Sequence, residues 1–166
     1  MVYIYKQQKV FSIRENFSYF DINQNLVFTA RGSFFGFPKR YHLFSGAGQQ
    51  PIIEVTRPAF AMMPRFLIKD LTSGRMIGKV KKRFRFFGRP RFDVFSADGG
   101  VYRIEGSFWA HNFKIFDPLG RQIIDVQKKV ISWGDTYEIM IDDRFVPVPV
   151  AMALVLAIDC AVHSNR

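Results

Sequence analysis

The sequence has little of what covalent or catalytic chemistry requires. Cys160 is its single cysteine, so no internal disulfide can form, and the disulfide frameworks of small secreted domains are excluded. The histidines, His42, His111 and His163, fall far apart on separate segments. We find no phosphate-binding glycine motif, no zinc-ligand spacing and no nucleophile elbow. These absences favour a protein that is not an enzyme, with no cofactor and no metal.

A long apolar run is also missing. Residues 1–8 show no apolar stretch after basic residues, so we expect no signal peptide and a cytoplasmic location. The most apolar segment, residues 148–163, is shorter than the roughly 20 residues of a membrane span. No linker rich in proline, glycine or serine divides the chain, and we predict a single domain over residues 1–166.

Residues 148–163 have the composition of a buried helix. Pro149 suits the first turn, and good helix formers such as Met152 and Leu156 follow it. Apolar residues surround the axis, and a helix that is apolar on every side must be covered. Asp159 lies within this segment and must be paired, hydrogen-bonded or neutral. We expect it near the end of a barrel, bonded to backbone donors or to an inward arginine or lysine. The alternative is a buried polar ligand or proton site.

A five-residue pattern recurs before that helix: aromatic, any residue, apolar, any residue, then Asp or Ser. Copies begin about 24 residues apart, at Phe17, Tyr41, Phe66, Phe92, Phe113 and Tyr137, and the last copy has its acids one place later. The two-residue alternation is typical of a strand, and Asp or Ser opens a turn. A second apolar stretch follows each turn, so each copy predicts one hairpin and six copies predict about twelve antiparallel strands.

The apolar helix favours a closed barrel over the other arrangements of many short strands. A sandwich would show similar strand spacing, and a propeller would need a longer repeat. Twelve strands enclose more room than side chains fill, because an eight-stranded barrel is already just filled by them. We therefore predict a mainly β fold, a closed antiparallel barrel around a C-terminal hydrophobic helix. Gly32, Gly36, Gly78 and Gly106 are expected to mark bulges or bends in its wall.

The order and spacing of several segments resemble a known family. They are residues 101–106, 113–120, 126–129, 135–137 and 158–159. Together they resemble the LURP-one-related proteins, which belong to the tubby C-terminal-like superfamily with the phospholipid scramblases. The resemblance extends from Tyr3 to Asp159. It implies a twelve-stranded barrel around a central helix, in agreement with the repeat.

The resemblance also implies a class of ligand. Tubby-type relatives bind phosphoinositides through a Lys-x-Arg arrangement on a strand, and Lys81-x-Arg83 matches that arrangement locally. Scramblase relatives are linked to membranes and calcium. A calcium loop needs several acids in register, and residues 21–25 offer too few, so calcium is not carried over.

Most of the net charge of +10 comes from one stretch. Residues 71–92 contain no acid, and their cations are Arg75, Lys79, Lys81, Lys82, Arg83, Arg85, Arg89 and Arg91. Alternation on a strand places Lys79, Lys81, Arg83 and Arg85 on one face, with Phe84 and Phe86 on the other. Lys82 is an exception to this division. We assign Lys79, Lys81, Lys82, Arg83, Arg85, Arg89 and Arg91 to an anion-binding patch.

Three functional hypotheses are consistent with this patch and barrel. The leading hypothesis is peripheral binding of an anionic phospholipid or phosphoinositide, because basic residues near such a membrane contribute on the order of 1 kcal/mol each. Nucleic acid ranks second, because interior phenylalanines leave few aromatics for base stacking. The third is a scaffold or carrier of a small ligand, which requires a sizeable pocket beside Asp159. A solvated strand face without a ligand would carry the same charges.

Overall fold

The alternating segments form strands at the positions that the repeat predicts. The computed structural model describes residues 1–7, 16–33, 38–59, 65–83, 91–107, 112–131 and 134–163. In these ranges the strands are Val2–Gln7 (β1), Asn16–Phe20 (β2), Leu26–Gly32 (β3), Lys39–Ser45 (β4), Pro51–Arg57 (β5), Arg65–Asp70 (β6), Met76–Arg83 (β7), Arg91–Ser96 (β8), Val101–Ser107 (β9), Asn112–Phe116 (β10), Gln122–Ile131 (β11) and Gly134–Ile141 (β12). A single helix, Val148–His163 (α1), follows them.

The twelve strands of the described residues close into an antiparallel barrel. Their order around the wall is β1-β12-β11-β10-β9-β8-β7-β6-β5-β4-β3-β2, so each strand pairs with its neighbours in sequence and β1 closes onto β12. Among these described strands, closure leaves no unpaired edge that could recruit another chain. The predicted barrel with a C-terminal helix is confirmed.

The interior is filled by α1 and the inward side chains of the strands. Residues 151–158 of the helix are each 5% exposed or less, and they pack against inward positions such as Leu43, Val55 and Ile139. Alternate wall residues remain accessible, as the burial pattern of β7 illustrates. Because residues 151–158 are shielded from solvent on every side of the helix, their apolar side chains are stabilising.

The fifth position of the repeat has a defined role in the turns. Asp21 accepts hydrogen bonds from the amides of Asn23 and Asn25 at 2.8 Å, and Asp117 accepts equivalent bonds in the β10–β11 turn. Bonds from Thr72 and Ser73 lower the pKa of Asp70 to about 2. The repeat therefore encodes turn acceptors, which bond the backbone beyond the strand end.

The two ends of the barrel differ in chemistry. The turn end carries the tight turns and the start of α1, whereas the mouth is the end where β1, β3, β5, β7, β9, β11 and α1 finish. Large apolar side chains that are exposed among the described residues lie at the turn end: Met1, Tyr3, Ile22, Leu26, Met76, Val101, Leu119 and Phe145. Acids of the turns, such as Asp21, Asp70 and Asp117, lie at the turn end too.

Gly106 and Gly99 offer a matched test of wall packing. Both have positive φ, at 106° and 90°, but a Cβ on Gly106 would collide with the carbonyl oxygen of Asn112 and lie 2.9 Å from Cα of Phe113. Nothing lies within 4 Å of a Cβ on Gly99. We expect Gly106→Ala to lower the free energy of unfolding by about 1–3 kcal/mol more than Gly99→Ala. Urea denaturation of both variants measures the difference, and equal losses would contradict the tight strand approach.

Candidate functional site

A cluster of outward cations lies on three adjacent strands near the mouth. Alternation turns Phe66, Val80 and Phe92 inward and leaves their neighbours accessible. We call the resulting outward set the cationic face. It consists of Arg65 on β6, Lys79, Lys81 and Arg83 on β7, and Arg91 on β8.

Strand register brings like charges side by side on this face. Arg65 is the direct partner of Lys81, and Arg83 is the direct partner of Arg91. Like charges opposite one another across a strand pair are destabilising. Sequence alternation alone would not reveal these pairs, because the partners come from different strands. The face therefore maintains a repulsive arrangement that an anion would relieve.

Phe95 and Asp93 on β8 organise the side chains of the face. The ammonium groups of Lys79 and Lys81 lie 5.3 and 5.4 Å from the ring centroid of Phe95, within cation–π range. Asp93 stands opposite Lys81 in the register and forms an ion pair with Arg83. One acid therefore offsets part of the charge, and the other cations of the face remain in excess.

The predicted patch divides into three parts in the structure. Lys79, Lys81 and Arg83 lie on one outward face, as the alternation predicts, and Arg91 lies beside Arg83. Arg85 and Arg89 lie outside the described residues. Lys82 is 1% exposed and points into the barrel, so it does not share the outward face with Lys79, Lys81 and Arg83. The reason is the same alternation, because Lys82 shares the inward side with Val80.

Arg65 was missed by the sequence reasoning. It precedes the repeat copy that begins at Phe66, and the inward phenylalanine already implies that Arg65 points outward. The signal was thus present on β6, but charge density was counted along the sequence rather than across strands. The cationic face joins segments that are not continuous in the chain.

Asp159 has the ion-pair partner that its position requires. Its carboxylate accepts a bond from the Nζ atom of Lys6 at 2.6 Å, and the two side chains are 11% and 7% exposed. The Lys6 ammonium also lies 3.9 Å from the ring centroid of Phe17. Burial, and then the charge of Asp159, raise the pKa of Tyr19 well above its ordinary value. The expectation of an inward lysine or arginine is confirmed, and β1 supplies it.

The space beside this pair is small. A cavity of about 20 Å³ is lined by Lys6, Tyr137, Val155 and Asp159, among others. One water needs roughly 10–15 Å³ on the same measure. Among the described residues, the cavity therefore suits a single water and is smaller than the pocket that a small-ligand carrier would require beside Asp159.

The described residues bring no catalytic constellation together. His42 lies on the outer wall, where its Nε2 atom is 3.0 Å from the carboxylate of Glu54. Cys160 is 6% exposed on α1, as expected for a thiol that packs as a small hydrophobe. His111 lies outside the described ranges. Groups of three or more His, Cys, Asp or Glu side chains suited to a metal are absent from the described part of the chain.

Comparison with known proteins agrees with the geometry of the barrel. A family model described as LURP-one-related matches residues 2–159. The chain belongs to the LURP-one-related family. A relative in this comparison is the uncharacterized protein YxjI of Bacillus subtilis (strain 168), which is 27% identical over 158 residues, or 94% of this chain and 92% of YxjI.

A similar fold is also seen in a solved structure. The X-ray structure of a protein from Arabidopsis thaliana superposes with a TM-score of 0.64 and 19% identity, covering 99% of this chain and 91% of that one. At this identity the likeness shows the fold alone. No helix in the described ranges has the length and apolar character needed to cross a bilayer.

Proposed function

We propose that this LURP-one-related chain is a non-enzymatic module that binds anionic phospholipid at a membrane surface through the cationic face. The observation that carries the proposal is the register of β6, β7 and β8. It places Arg65 beside Lys81 and Arg83 beside Arg91 at the mouth. Lipid headgroup phosphates would approach this outer wall and offset charges that repel one another.

The expected affinity is modest. Five cations at about 1 kcal/mol each give roughly 5 kcal/mol before ordering costs, and the Asp93–Arg83 ion pair reduces the sum. Attraction of this size supports reversible attachment and needs a second signal for stable anchoring. Salt must weaken it, because exposed charges are screened over about 8–10 Å at moderate ionic strength.

A nucleic acid is the rival anion for the same face. Single-strand binding relies on aromatic side chains that offer an open surface for base stacking. The outward aromatic described within the face is Phe95, which is half-buried and engages two ammonium groups. This arrangement favours lipid over nucleic acid.

Co-sedimentation with liposomes tests the proposal. The protein is expected to bind vesicles with anionic phospholipid at low salt, to bind less at moderate salt, and to leave neutral vesicles unbound. Reversal of two charges, in Lys81→Glu with Arg83→Glu, is expected to weaken binding by more than about tenfold, since it removes two attractions and adds two repulsions. Thermal stability should change little, because both side chains are exposed.

The β6–β7 hairpin supplies a matched control. Lys69→Glu with Arg75→Glu reverses one lysine and one arginine, also exposed, at the turn end rather than the mouth. This variant should bind like the parent protein. Equal binding to neutral and anionic vesicles, or equal losses in both double variants, would contradict a localised lipid site. Tighter binding of a single-stranded oligonucleotide than of vesicles would support the rival.

A further inference from the structure

The turn end carries an apolar surface on the side of the barrel away from the cationic face. Every turn at this end lies within the described residues. Exposed large apolar side chains are concentrated there on neighbouring elements: the start of β1, the β2–β3 turn, the β10–β11 turn and the loop between β12 and α1. We call this surface the apolar patch, and its members are Met1, Tyr3, Ile22, Leu26, Leu119 and Phe145.

Direct contacts join the elements that carry this patch. The guanidinium carbon of Arg121, in the β10–β11 turn, lies 4.4 Å from the ring centroid of Phe145 in the loop after β12. The guanidinium of Arg144 lies 5.3 Å from the same ring. The terminal ammonium of Met1 donates a hydrogen bond to Asp143 at 2.6 Å, so β1 begins beside that loop. Three separate elements therefore meet around Phe145.

The β2–β3 turn extends the patch on the other side of β1. Tyr5 pairs with Phe20 across β1 and β2, and the same register continued by two residues places Ile22 opposite Tyr3. Leu26 pairs with Phe20 across β2 and β3. The exposed apolar side chains of this turn thus adjoin those of β1.

Local charges of the patch are balanced within it. Arg121 bonds Asp117 at 2.6 Å, and Arg144 bonds Asp142 at 2.7 Å. The terminal ammonium offsets Asp143, and the acid of the β2–β3 turn adds one more negative charge. In contrast to the cationic face, this surface offers no local attraction to an anionic lipid.

From these contacts we infer that the apolar patch is an interface between two copies of this chain, related by a two-fold axis. Aromatic, methionine and arginine side chains are enriched at protein interfaces. A guanidinium beside a carboxylate is self-complementary, because a two-fold axis can place each group opposite its counterpart in the other copy. The apolar side chains of both copies would leave water together. The inference does not depend on the proposed membrane binding.

The distribution of net charge also favours self-association at this end. Residues 71–92 contain eight cations and no acid, and they supply most of the net charge of +10. They include β7 and the start of β8, which lie across the barrel from β12 and β1. Contact through the apolar patch therefore keeps the most basic surfaces of the two copies apart, where salt screens their repulsion.

Sedimentation equilibrium of the parent protein and two matched variants tests the inference. Phe145→Ser and Met76→Ser remove apolar side chains of similar exposure, 43% and 45%, but Met76 lies on β7, outside the patch. The parent should show a concentration-dependent equilibrium between monomer and dimer. The dissociation constant should rise at least about tenfold in Phe145→Ser and stay within about twofold of the parent in Met76→Ser.

Salt separates this contact from binding through the cationic face. Moderate salt should tighten the dimer, because it screens the repulsion between two chains of net charge +10 and leaves apolar contacts intact. The same salt is expected to weaken vesicle binding. Lys81→Glu with Arg83→Glu should dimerise at least as tightly as the parent, since it lowers the repulsion and leaves the patch unchanged.

Several results would overturn the inference. They are a parent protein that stays monomeric at every protein and salt concentration, equal dissociation constants for Phe145→Ser and Met76→Ser, and association that salt weakens. Vesicle binding by a monomeric parent that is lost in Phe145→Ser would assign the patch to a lipid surface instead. Ile22→Ser, at a side chain 70% exposed, is the second variant should Phe145→Ser fold poorly. A dimer that binds no vesicles would support this interface and refute the proposed membrane function.

Discussion

Asp159→Ala is expected to lower the free energy of unfolding by about 3–5 kcal/mol, because it leaves the ammonium of Lys6 buried without its carboxylate. The two groups are 2.6 Å apart, and both are nearly buried between β1 and α1. Guanidinium denaturation monitored by tryptophan fluorescence measures the loss. Replacing both partners, with Lys6→Met and Asp159→Leu, should recover most of it, since an apolar pair carries no desolvation cost.

An exposed pair supplies the control for this variant. The Arg103 and Glu105 side chains are 61% and 51% exposed and lie 3.0 Å apart. Glu105→Ala should cost less than about 1 kcal/mol, as exposed ion pairs generally do. If Asp159→Ala costs no more than Glu105→Ala, burial does not govern the Lys6–Asp159 pair.

Leu156→Ala is expected to cost about 2–5 kcal/mol, because it opens a cavity in the middle of the barrel. Leu156 is fully buried on α1, and a closed wall of paired strands has little freedom to collapse around lost methyl groups. The same chemical change at Leu119, which is 77% exposed at the turn end, should lie within about 0.5 kcal/mol of the parent. Similar melting temperatures for the two variants would mean that α1 contributes little to the core.

The fold could be predicted because local patterns and global architecture agree. The repeat placed six hairpins, and the helix runs over Val148–His163, the bounds that its composition predicted. Residue-level turn chemistry also agreed, since Asp21, Asp70 and Asp117 bond the turns that follow them. Such consistency between levels is what makes a sequence specify one structure.

The candidate site was only partly predictable. Alternation along β7 gave the outward direction of Lys79, Lys81 and Arg83, because that property is local to one strand. The repulsive pairing of Arg65 with Lys81 depends on register between strands, which no single strand encodes. Lys82 was the exception to that division, and the structure places its side chain inside the barrel, apart from the outward cations.

The partner of Asp159 shows the same limit more strongly. Its position on an apolar helix required a cation, yet the sequence offered 24 lysines and arginines. Lys6 is 153 positions away and reaches Asp159 because β1 closes onto β12 next to the C-terminal part of the helix. The requirement for a cationic partner could therefore be inferred from Asp159 itself. Which cation meets that requirement depends on closure of the whole barrel.

The seam between β1 and β12 bears on how this protein matures during translation. Tyr5 and Glu138 are hydrogen-bonded across the seam although 133 positions separate them, and α1 is synthesised later still. Until β12 and α1 have left the ribosome, the edge of β1 lacks its partner strand and the apolar interior lacks the helix that fills it. Folding that depends on contacts between distant segments is slow, and its intermediates expose apolar surface that promotes aggregation. The barrel therefore cannot close before its last strand and helix have been synthesised.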